Sequence, residues 1–134
     1  MFKRISLSLM VALLIVSMLT ACGGAPPPVT YSQLPLFTGA TESTNEQLIG
    51  MVEALLLQVR AETTIKSTEG KAYDVPEGTS WDAVKSFYSA ALEKAGWVQA
   101  KVTDSNLGYA RGNQAVNVMY VEGAGLVVVL SEAK

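Results

Sequence analysis

Three carboxylates lie close together in this chain, Asp74, Glu77 and Asp82. Two acids held on facing surfaces can divide general-acid and general-base work, and these are the residues from which such a pair would be built. Proximity in sequence fixes no facing geometry, however. Asp82 sits where a helix start favours an acid, and Asp74 and Glu77 flank a turn around Pro76. A serine and a lysine occur as Ser131-x-x-Lys134 in the last four residues, where a frayed end is expected. Histidine is absent, which removes the commonest general base and the commonest zinc ligand. The stretch Asp104 to Gly108, "DSNLG", opens like a calcium loop but carries Tyr109 and Ala115 where that loop needs glycine and glutamate, so a hairpin turn is expected. "VEGAG" lies between predicted strands and not before a helix, which is the wrong place for a phosphate loop. No cofactor is implied. Arg111, with Tyr109 and Tyr120 nearby, is left as a candidate recognition surface, because arginine and tyrosine recur at binding hot spots. The same residues also suit an ordinary sheet face.

The remaining reactive group is Cys22, the only cysteine, so no disulfide forms within the chain. It follows a short basic start, "MFKR", and an apolar run of 15 residues from Ile5 to Leu19. That run is shorter than the roughly 20 residues that span the hydrocarbon as a stable helix. Small residues at Thr20 and Ala21 then suit the narrow site of a signal peptidase. The segment Leu19-Thr20-Ala21-Cys22 resembles the lipobox of bacterial lipoprotein precursors. The resemblance implies that residues 1–21 are a cleaved signal peptide and that the Cys22 sulfur carries diacylglycerol. It also implies a lipid-anchored, extracytoplasmic protein at the cell membrane or the outer membrane. Gly23 in place of aspartate favours the outer membrane where there are two membranes.

Beyond that leader, eight Lys and Arg face twelve Asp and Glu, a side-chain charge of −4. Phosphate backbones repel such a chain, so nucleic acid is not an expected partner. A membrane partner must be reached through the lipid, and an envelope protein is the other partner to consider. Residues 22–42, opening "CGGAPPPVTYSQLP", read as a lipidated N-terminus and a Gly/Pro-rich tether. Residues 43–134 read as one domain.

Within that domain, Ser43 and Glu46 fit a capping box, followed by Leu48, Val52, Leu55, Leu56 and Val59 at helical spacing. "AETTIKSTEGKAYDV" suits one long strand or a hairpin at Glu69-Gly70. A second helix is expected to be capped by Thr79, with Asp82 in its first turn. It presents Trp81, Val84, Tyr88, Ala91, Leu92 and Ala95 on one face and ends at Gly96 with Trp97 folding back. "FYSAALEKAGW" resembles a Phe-Tyr…Leu…Gly-Trp pattern of small bacterial envelope lipoproteins, a likeness that implies a fold and brings no catalytic residues. Four runs, "WVQAKVT", "LGYAR", "AVNVMYV" and "LVVVL", are separated by short turns and predict an antiparallel meander. The continuously apolar "LVVVL" should lie centrally. The expectation is a two-layer α+β domain, four to five strands packed against one or two amphipathic helices. Its expected role is a non-catalytic binding or envelope-accessory module. The alternative is a small extracytoplasmic enzyme using carboxylate or serine–lysine chemistry.

Overall fold

A computed structural model describes residues 26–134. The chain is α+β, with two helices, α1 (Glu46–Arg60) and α2 (Trp81–Lys94), against one antiparallel sheet. The strands are β1 (Thr41–Glu42), β2 (Ile65–Asp74), β3 (Val98–Val102), β4 (Asn106–Arg111), β5 (Gln114–Val121) and β6 (Gly125–Ala133). Their order is β1-β2-β6-β5-β4-β3, so the meander β3 to β6 is extended by β2 and then by β1. Six strands form, more than the four to five expected. The extra one is the two-residue β1, which carries no periodicity to read and pairs Thr41 with Asp74 and Glu42 with Tyr73.

The all-apolar run lies in β6, hydrogen-bonded on both sides, to β2 and β5. Alternate residues of a strand point to opposite faces. Leu126, Val128 and Leu130 join Val84, Tyr88 and Leu92 of α2 in the main core, with Leu107, Tyr109, Val116 and Val118 from β4 and β5. Sheet and α2 are the two principal layers. Val127 and Val129 face the other way and meet Leu48 and Val52 of α1. That helix therefore covers β2 and β6 on the reverse face. β2 runs unbroken through Gly70. A β-carbon there would lie 3.3 Å from both Val52 Cγ1 and Leu56 Cδ2, so the glycine admits α1 to close range and makes no turn.

Helix starts differ from the sequence reading by one or two residues. Asn45, not Ser43, caps α1, its Oδ1 accepting from the Gln47 and Leu48 amides at 2.9 and 3.4 Å. Ser43 is instead buried as a bridge: its hydroxyl donates to Asp74 Oδ1 at 2.6 Å and accepts from the Asn45 amide at 3.0 Å. Ser80, not Thr79, caps α2 through the Ala83 amide at 3.1 Å, while Thr79 Oγ1 donates to the Pro76 carbonyl at 2.6 Å. The reach of a side-chain oxygen sets these caps, and neighbouring Ser, Thr and Asn residues look alike in sequence. The end of α2 is as expected. Gly96 at φ +88° donates to the Glu93 carbonyl and Trp97 to the Leu92 carbonyl, closing a Schellman turn with Trp97 buried.

The stretch 27–40 belongs to the folded unit. Gln114, buried at the start of β5, accepts from the Val29 amide and donates to the Val29 carbonyl, both at 2.8 Å. Arg111 Nη1 donates to the Pro27 carbonyl at 2.8 Å. Val29, Tyr31, Leu34, Phe37 and Ala40 then pack on the main core beside α2. A tether reaching residue 42 is thus too long, because the apolar residues spaced through this proline-bounded segment have a sheet face to bury against. The C-terminal end is also ordered, with Ser131, Glu132 and Ala133 paired in β6 and the Lys134 amide donating to the Thr64 carbonyl.

Candidate functional site

Because α1 lies mainly over β2 and β6, with Met119 and Val121 of β5 at its margin, much of the reverse face of β5, β4 and β3 is open beside it. Alternation decides what faces outward there. With Val116 and Val118 committed to the main core, Asn117 and Met119 of β5 turn to the reverse face. Asn106 of β4 follows by its pairing with Met119, and Lys101 of β3 by its pairing with Gly108. Val127, Val129 and Ser131 of β6 form the floor, and Leu55 and Val59 of α1 form one wall. Together these residues line a half-open groove of about 250 Å³. Gly108 keeps it open: a β-carbon there would meet Asn117 Oδ1 and Lys101 Cβ, each at 3.3 Å. Ser131 is buried and shares a hydrogen bond with Thr68, hydroxyl to hydroxyl, at 3.3 Å. The lining contains one cation, Lys101, and no carboxylate. Its chemistry is an apolar floor with an amide and ammonium rim.

The residues singled out in the sequence lie elsewhere. Tyr109, Arg111 and Tyr120 do not form one surface. Tyr109 is only 1% exposed under α2, with its hydroxyl donating to Glu93 Oε1 at 3.3 Å. Arg111 stands at the β4–β5 turn, committed to Pro27. Tyr120 is at the far end of β5, where its amide bonds Ser105; six residue steps of β4 separate that level from Arg111, about 20 Å. There it stacks on Trp81 at 6.0 Å, and its hydroxyl donates to the Thr79 carbonyl at 2.9 Å, fixing the start of α2. The patch fails because residues alternating along a hairpin share a face without sharing a neighbourhood.

The three acids each have a separate local setting. Asp74 accepts from Ser43, Asp82 pairs with Lys85 at 3.2 Å, and Glu77 occupies the Pro76–Gly78 turn. "DSN" is the expected turn, with Thr103 Oγ1 accepting from the Ser105 and Asn106 amides. Among the described residues no three His, Cys, Asp or Glu side chains gather as metal ligands would. Sequence reasoning missed Lys101, Asn117 and Met119. The signal was present in "AVNVMYV", whose alternation puts asparagine and methionine on one face; that this face stays uncovered was not readable.

A second cluster of polar atoms lies inside the main core. Tyr31 donates to the Val128 carbonyl at 3.0 Å and accepts from Tyr73 at 3.1 Å, while Tyr88 accepts from the Phe37 amide at 3.3 Å. Burial raises the Tyr88 hydroxyl from its ordinary value of 10 to about 12, and burial followed by the Tyr73 hydrogen bond raises Tyr31 as well. These hydroxyls hold the 27–40 stretch in place. Above pH 10 the unfolded chain loses a tyrosine proton that folded Tyr88 keeps, so ionisation favours unfolding. The contribution of Tyr88 to stability should therefore be level below pH 10 and fall between 10 and about 12. Urea midpoints across that interval measure it, and Tyr88→Phe should reduce the slope.

Cys22 and the rest of the leader lie outside the described residues. Among the described residues no helix is long and apolar enough to cross a membrane. No protein-family profile, curated protein or solved structure matches the chain.

Proposed function

We propose that this chain is a bacterial lipoprotein precursor, held outside the cytoplasmic membrane by lipid on Cys22. Its α+β domain acts as a non-catalytic binding or envelope-accessory module. What supports the reading is the direction from which the chain enters the domain. Pro27 is hydrogen-bonded at the pole of the β4–β5 turn, only five residues after Cys22, so the lipid lies at most about 17 Å from that pole.

Charge is segregated along the same axis. The pole that receives Pro27 carries Arg60, Lys94, Arg111 and Lys134, together with Glu62, Glu93 and a Lys66–Glu132 pair at 3.2 Å. The opposite pole carries Glu42, Asp74, Glu77, Asp82, Asp104 and Glu122, with Lys71 and Lys85 as the nearby cations. A net charge of −4 therefore conceals a domain whose lipid-proximal end is mildly cationic. Each basic residue near an anionic lipid surface contributes about 1 kcal/mol, so the tethered domain should stand basic end inward.

The test uses the lipidated full chain in vesicles of phosphatidylethanolamine and phosphatidylglycerol. Once Cys22 is acylated, Glu62→Cys or Glu122→Cys supplies the one free thiol for a fluorophore. Strand β6 separates these poles by about 27 Å, its nine residues making eight steps. Lipid-borne quenchers should extinguish the label at 62 and spare the one at 122. Equal quenching, or stronger quenching at 122, would contradict the reading.

A further inference from the structure

We propose that the reverse-face groove binds a small single-chain amphiphile with an anionic head, its tail over the apolar floor and its head at Lys101. The inference deepens the binding-module reading and rests on it. Leu55, Val59, Met119, Val127 and Val129 supply a continuous apolar surface, which suits an aliphatic chain better than a polar ligand. At the β3 side the surface changes character to Lys101, Asn106 and Asn117. Among the described residues Lys101 is in no salt bridge, and neither asparagine side chain is engaged in a hydrogen bond. An ammonium and two amides with free donors, and no carboxylate beside them, form a positive, donor-rich rim that fits a carboxylate or a phosphate monoester. A cationic or zwitterionic head would leave Lys101 facing its own charge.

Size narrows the class further. About 250 Å³ is below the roughly 300–1,000 Å³ of sites that enclose drug-sized ligands, so a short chain fits and a two-chain phospholipid does not. The groove is open along one side, so a longer single chain can project outward.

The sequence provides its own reporter. Of the five methionines, Met1, Met10 and Met18 lie in the leader, so the processed chain retains Met51 and Met119. Met119 lines the groove; Met51, on α1, does not. The lipidated full chain, labelled with carbon-13 at its methionine methyls and held in nanodiscs, is titrated with hexanoate, hexyl phosphate and hexylammonium. These short probes share a tail and differ in head. Hexanoate and hexyl phosphate should each shift the Met119 methyl to saturation and leave Met51 in place, the tighter of the two identifying the preferred head. Hexylammonium should not. Lys101→Glu should weaken both anions about tenfold and admit hexylammonium, while leaving the Met51 signal and the unfolding midpoint unchanged. Equal response to anion and cation, or a Met119 signal that never saturates, overturns the proposal. Five methionine signals in place of two would show an unprocessed leader and count against the lipoprotein reading, whatever the groove then does.

Discussion

Gly125→Ala should be the most damaging single-methyl change in the domain. Gly125 opens β6 at φ +148°, a conformation L-residues rarely adopt, and its α-carbon faces Tyr73 of β2. A β-carbon there would overlap the Tyr73 carbonyl oxygen and press to 3.1 Å on Leu48 Cδ1. Neither neighbour can retreat freely. Tyr73 is paired with Leu126 on one side and Glu42 on the other, and Leu48 is wholly buried. Backbone strain alone costs about 1–3 kcal/mol, and the steric overlap adds to it. A loss above about 3 kcal/mol is expected, against a total stability of about 5–15 kcal/mol. Gly50→Ala is the control. It lies in α1 with no atom within 4 Å of the added methyl, and should stabilise by about 1 kcal/mol. Urea unfolding of the two variants should move the midpoint in opposite directions. A Gly125→Ala protein as stable as the parent would mean that β2 and β6 do not meet as described.

Cys22→Ala should have the largest effect in the cell. The lipoprotein reading requires acylation before cleavage, so the variant should accumulate as an uncut precursor or leave the lipidated pool altogether. The energetics are one-sided. Two acyl chains contribute about 0.8 kcal/mol per buried methylene, whereas the basic pole offers about 1 kcal/mol per residue at the lipid surface. Without the chains, the four cations around Arg111 cannot hold a domain of charge −4 at a membrane. Membrane fractionation and intact-mass measurement check it. The parent should begin at Cys22 and carry the mass of its acyl groups. A variant that is still correctly cut and membrane-bound would refute the anchor, and so would a parent with a bare thiol.

The two results bear on different levels of the molecule. The lipobox resemblance is read by local chemistry, four consecutive residues after an apolar run, and needs no fold. The domain was legible to the extent that its patterns were local: two helices by their 3.6-residue spacing, a Schellman ending at Gly96, the turns of the meander, and a central β6. Each follows from side chains within a few positions of one another. The same locality explains the misplaced caps, since Ser43 and Thr79 are as good on paper as Asn45 and Ser80.

Contacts distant in sequence were not legible. Gln114 reaches Val29 across 85 positions, and Tyr31 reaches the Val128 carbonyl across 97. Nothing local to "APPPVTYSQLP" announces either partner, so a stretch that reads as a tether is in fact bound to the sheet. Tyr109 and Tyr120 look equally available in a strand, yet one is sealed beneath α2 and the other holds that helix at its start.

What the sequence determined by itself was the class of elements and their order, and the lipid proposed for Cys22 rests on the sequence alone. What only the tertiary structure decided was which half of each strand's alternation would be covered. Period-2 patterning sorts side chains to two faces without saying which face receives a helix. Here α1 falls mainly on β2 and β6 and meets β5 only at its margin. That boundary, set by how the Val52 and Leu56 side chains seat against Gly70 and Val129, leaves Met119, Asn117 and Lys101 facing an open groove.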